Sequence, residues 1–164
     1  MDFTDELNEC SDFPSIFNLV KQAVEISLNR RRVGLILGLA DLPSFVGAFH
    51  TVGANFIVMN KTILKKITET YENKKLINAY IFHILLHEYI HSLGFLDERL
   101  TRDLTYAISE KIFGEDHIAT QMARYGITRV FPDIQLEYSD SRAEMLSRIE
   151  IVGDFERDNL SYIG

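Results

Sequence analysis

Apolar positions recur along this chain at helical spacing in most segments, with one short interval of strand-like texture. Between Phe13 and Arg32 the apolar residues Phe13, Ile16, Phe17, Val20, Val24 and Leu28 fall on one face, with Pro14 in the first turn, and predict an amphipathic helix. The run Val33 to Leu39, broken by Gly34 and Gly38 and followed by Asp41-Leu42-Pro43, reads as a buried strand and a turn. Phe45 to Phe49 and Phe56 to Met59 predict two further strands, joined by a hairpin loop over Thr51 to Asn55. Asn60 then suits the N-cap of a helix from Lys61 to Tyr71, and Glu72 to Lys75 is a polar joint.

The stretch from Leu76 to Asp97 differs from every other. It is apolar on nearly all faces, which predicts a helix in the middle of a domain, ended by Gly94. Helices are expected from Glu98 to Phe113, stopped by Gly114, and from an N-cap at Asp116 to about Arg124, with Gly126 after it. Beyond Pro132 the pattern weakens to an extended piece at Leu136 to Tyr138 and a short helix over Ser141 to Ile149. The fold class is α+β: a small three-stranded sheet packed on a central helix, with further helices downstream. Residues 1–12 read as a loosely held acidic lead-in, 13–150 as a single domain and 151–164 as an acidic C-terminal tail.

Composition narrows the partners. A chain of 164 residues with 46% hydrophobic and 25% charged residues is ordinary globular material. A net charge of −7 argues against a nucleic-acid footprint, and the run Arg30-Arg31-Arg32 reads as a solvated helix end. No apolar run reaches the ~18 residues that would suggest a membrane span, and the acidic start lacks signal-peptide regions. Cys10 is the one cysteine, which rules out an internal disulfide and a cysteine zinc site. The expectation is a reduced, cytoplasmic location with no nucleic-acid or membrane partner.

The central helix carries His87, Glu88 and His91. Residues four apart share a helix face, so both imidazoles can reach one ion. Zinc takes nitrogen ligands and, in catalytic sites, keeps a position for water. Glu88, beside the ion rather than on it, suits a general base that moves protons between water and a leaving amine. His83 lies on the same stripe, but eight residues at 1.5 Å rise place it about 12 Å from His91. His83 therefore reads as a hydrogen-bonded neighbour of the site.

From His87 the string runs His-Glu-x-x-His-x-x-Gly-x-x-Asp, ending at Asp97. In this it resembles the metzincin clan of zinc peptidases, in the variant with Asp as third ligand. The resemblance implies a compact zincin-like fold and Zn2+ held by His87, His91 and Asp97. It also implies Glu88 as catalytic base, Gly94 as the turn, and a peptide or protein substrate. Such peptidases lay their substrate along an edge strand, here expected between Phe45 and Met59. The clan also has a Met-turn with Tyr two residues after Met, whereas here the nearest match, Met122 to Tyr125, has spacing three. From the residues alone the third ligand stays open. Asp97 is also a natural N-cap, and Glu98, His117 and Glu110 follow it in rank. Tyr106, Tyr125 and Tyr138 are available as oxyanion donors without one standing out. The expected function is a zinc-dependent peptidase. The alternative is a non-catalytic, metal-stabilised regulatory or binding module.

Overall fold

The computed structural model describes residues 2–42, 48–50, 55–134 and 150–153. Its axis is α4 (Lys74–Ser92), capped by Asn73, whose side chain accepts from the Leu76 N–H. Ala79, Tyr80, Phe82, Leu85, Leu86, Tyr89 and Ile90 are all fully buried, so the helix is packed on every side as its apolar composition demands. Helices α1 (Phe3–Glu9), α2 (Phe13–Leu28), α3 (Lys61–Tyr71), α5 (Glu98–Phe113) and α6 (Ile118–Tyr125) pack around it. Gly94, at φ +105°, turns the chain after α4, a conformation that a side chain would strain.

The sheet has four strands among the described residues, not three. β1 (Ile36–Ala40), β2 (Ala48–His50), β3 (Phe56–Asn60) and β4 (Glu150–Ile151) lie in the order β2-β3-β1-β4. β1 and β3 run parallel, with Ile36 opposite Phe56 and Ala40 opposite Asn60, while β2 and β4 are antiparallel to their neighbours. The first strand begins at Ile36 rather than Val33, because Gly34 at φ +82° breaks the extended run. The second lies at Ala48–His50; residues 43–47 and most of the expected hairpin loop, 51–54, lie outside the described residues. Asn60 ties the sheet to α3. Its buried side chain caps the helix at the Thr62 N–H (3.0 Å) and exchanges hydrogen bonds with the Leu42 backbone (3.3 and 3.1 Å).

Both ends of the chain are more involved than expected. Residues 1–12 are not a loose lead-in: Phe3–Glu9 is a helix, capped by Asp2, with Leu7 fully buried. The acidity read as a loose lead-in belongs to a helix start, where Asp5 and Glu6 in the first turn complement the macrodipole. The segment is held from α4, where the buried Asn78 donates to the Leu7 and Cys10 carbonyls, both at 2.8 Å. At the far end, Ile151 pairs with Gly38 and the Val152 N–H donates to the Leu37 carbonyl at 2.8 Å. The sheet thus extends past residue 150 into the expected tail, of which 154–164 lies outside the described residues, as do Leu136–Tyr138 and Ser141–Ile149.

Other helix ends also differ from expectation, among them the start of α4 at Lys74 within the expected polar joint. α2 stops at Leu28, four residues short of Arg32, because Asn29 takes the left-handed conformation (φ 53°). The arginine run then serves α4: Arg32 donates from its backbone to the Tyr89 hydroxyl (2.8 Å) and from Nη1 to the Ser92 carbonyl (2.7 Å). A cation at the C-terminal end of a helix suits its dipole. α6 is capped by His117 and not Asp116, and a short helix α7 (Ile127–Val130) follows Gly126. No helix among the described residues is long and apolar enough to cross a membrane.

Candidate metal centre

The C-terminal half of α4 and the first turn of α5 meet at one point. His87 Nε2 lies 2.7 Å from Glu98 Oε1, and His91 Nε2 lies 2.9 Å from Glu98 Oε2. The two imidazoles, four residues apart, stand with centroids 4.9 Å apart. Glu98 reaches them because first-turn side chains lean back past the helix start, here over the end of α4.

The tautomer of His91 follows from its other nitrogen. Nδ1 is 2.7 Å from the Phe95 carbonyl, which can only accept, so the proton is on Nδ1. The turn at Gly94 brings that carbonyl into place, and the buried Thr101 hydroxyl lies 3.0 Å from the same oxygen. Nε2 is therefore left with a lone pair facing a carboxylate oxygen. Burial opposes ionisation of Glu98, but the imidazoles of His87 and His91 outweigh it and hold its carboxyl below the usual range. Burial lowers the pKa of His87, with Glu98 opposing and His91 and Arg102 adding to the effect. Two acceptors face to face need a cation between them, either a second proton on the imidazole or a metal ion.

The donor set fits a metal. One atom from each of His87, His91 and Glu98 lies within 4.8 Å of the others. Nitrogen and carboxylate ligands on a tetrahedral zinc, at about 2.0–2.1 Å, stand a little over 3 Å apart. Two imidazoles and one carboxylate suit zinc and similar transition metals, whereas calcium and magnesium want oxygen throughout.

Glu88 sits against this group on α4 and is only 7% exposed. Burial, reinforced by Glu98 and opposed by His91, raises its pKa to about 7. His87, Glu88 and Glu98 line an open cavity of about 600 Å³, flanked by Ala48 of β2 and by the segment from Met122 to Ile127. His83 lines it too; its Nδ1 is buried without a hydrogen-bond partner, and burial, with His87 adding, holds its pKa down to about 3. The hydrogen-bonded role expected for His83 is thus not seen at that nitrogen.

The other expected ligands are placed elsewhere. Asp97 is the N-cap of α5, accepting from the Arg99 and Leu100 N–H groups at 2.9 and 3.3 Å, and is not part of the histidine group. His117 accepts the Ala119 N–H on Nδ1 at 3.0 Å and stacks on Phe113. Glu110 lies three turns along α5 from Glu98, beside Tyr106. Met122 and Tyr125 line the cavity, but from α6 rather than from a turn. Tyr138 lies outside the described residues. Sequence reasoning placed Asp97 ahead of Glu98, although aspartate's preference for the N-cap already pointed to Glu98 as the free carboxylate.

No protein-family model matches the chain, nor does any curated protein or solved structure. What the site does has to be read from its chemistry.

Proposed function

We propose that this chain is a zinc-dependent peptidase in which His87, His91 and Glu98 hold the ion and Glu88 is the general base. The observation that carries the proposal is the convergence of two imidazole nitrogens on one carboxylate, at 2.7 and 2.9 Å, beside a buried glutamate at the wall of a cavity. Zinc, when bound, supplies a Lewis acid that polarises the scissile carbonyl and lowers the pKa of water toward ~7. Glu88 takes the proton of the attacking water on its carboxylate and returns it to the leaving amine nitrogen. Burial, which pushes its carboxyl above the usual range, favours its holding and returning a proton. The Phe95 carbonyl fixes the His91 ring so that Nε2 faces the ion.

The surrounding architecture supports a zincin-like arrangement. β2 is an antiparallel edge strand packed against α4, with Ala48 at the cleft, and a peptide can add to such an edge as a further strand. With Glu98 as third ligand, the likeness to the metzincin variant ends at the Gly94 turn.

The test is zinc content together with peptide cleavage by wild type and Glu88→Gln. Zinc in both proteins, with turnover in the wild type alone, is the expected result. Zinc in both with no cleavage across a peptide library points instead to a metal-stabilised binding module. The α4–α5 link through Glu98 would suit that role.

A further inference from the structure

Once Glu88 and Glu98 are assigned to the chemistry, the charged side chains left on the cleft wall among the described residues are Arg102 of α5 and Arg124 of α6. Arg124 is balanced by Glu115 at 3.0 Å and lies over the Tyr106 ring. Arg102 is different. Its Nε is 3.7 Å from Glu98 Oε1, and its side chain is 71% exposed. When Glu98 turns its oxygens to an ion, Arg102 keeps its charge and gives up its carboxylate. A third guanidinium, Arg129, lies over the ring of Tyr125, which itself lines the cleft. In a chain of net charge −7, arginines at a cleft offset the negative charge locally. The guanidinium fork matches a carboxylate with two parallel hydrogen bonds.

We propose that Arg102 recognises a carboxylate on the substrate, so that the site favours peptides with an acidic side chain or a free C-terminus next to the scissile bond. The proposal rests on the peptidase reading above. Its rival is that Arg102 only steadies Glu98, in which case its loss would weaken metal binding and slow every substrate alike.

Three peptides on one apolar scaffold separate these cases: one with an internal Glu and blocked ends, one with Gln and a free C-terminus, and one with Gln and an amidated end. The readouts are kcat/KM for the zinc-loaded protein and fluorescence anisotropy binding to zinc-loaded Glu88→Gln. At least one carboxylate peptide is expected to exceed the neutral one by about tenfold, and that arm names the source of the carboxylate. Arg102→Ala should erase the advantage through KM with zinc content unchanged. Arg102→Glu should shift preference to a Lys peptide. Equal handling of all three peptides overturns the proposal, as does loss of zinc with uniform slowing in Arg102→Ala. If no peptide is cleaved but Arg102-dependent carboxylate binding persists, recognition stands and the peptidase reading falls.

Discussion

At the scale of single residues, Asp97 and Glu98 show how one methylene divides two jobs. The shorter carboxylate reaches the backbone N–H groups of its own helix; the longer one reaches back to the histidines. Asp97→Ala should therefore cost about 1 kcal/mol of stability, read from denaturant unfolding, and leave zinc affinity nearly intact. Glu98→Ala should do the reverse, losing zinc affinity by at least tenfold as removal of a ligand demands, with little change in metal-free stability. Equal zinc loss in both variants would show that the cap and the ligand act as one unit. His117 provides a pH handle away from the metal. Burial lowers its pKa in the folded chain, so below about 6.5 the unfolded chain binds the extra proton and stability falls as pH drops. Its Nδ1 must stay unprotonated to cap α6. His117→Asn, which caps without titrating, should make the decline below pH 6.5 shallower in thermal melts, with the share of the buried His83 and His87 remaining; an unchanged slope would place the whole decline at those two.

At the scale of elements, legibility followed locality. The helices Lys61–Tyr71 and Glu98–Phe113 were readable to the residue because Asn60, Asp97 and Gly114 mark their ends within the chain itself. The central helix was readable because its composition leaves no solvent face. Helix α1 and strand β4 were missed because both are held from far away: Asn78 grips Leu7 and Cys10, and Gly38 pairs with Ile151. No local pattern carries such contacts. Arg30 and Arg31 are exposed as the sequence suggested, but Arg32 was misread for the same reason, since its partners, Tyr89 and Ser92, lie on another helix. Within the candidate site, the pairing of His87 with His91 on one face was legible from helical spacing, while the position of Glu98 beside them, hinted at by the N-cap preference of Asp97, needed the α4–α5 geometry. The Asn78 contact is testable. Asn78→Ala removes two hydrogen bonds and, since the Leu7 carbonyl still accepts the Cys10 N–H, takes the side-chain donor from the Cys10 carbonyl, a loss of about 2–3 kcal/mol. Limited proteolysis should then cut within residues 1–12 well before the core, and continued protection would contradict the account of α1.

At the scale of the molecule, the sheet and the outer helices hold one buried helix whose His87, Glu88 and His91 lie in its C-terminal half, where α5 and the cleft begin. A metal there links α4 to α5 and adds to stability by mass action. Chelation should accordingly lower the melting temperature without unfolding the chain at 25 °C, because the core around α4 is packed independently of the site. Unfolding on chelation would make the metal a structural element of the fold. The most direct measurement is zinc bound per chain after stripping with chelator, reconstitution and dialysis, made on wild type, His91→Ala and Glu98→Ala. One zinc per wild-type chain and a small fraction of that in both variants is the predicted result. A wild-type chain that takes up no zinc, or a Glu98→Ala chain that binds it undiminished, would contradict the site described here.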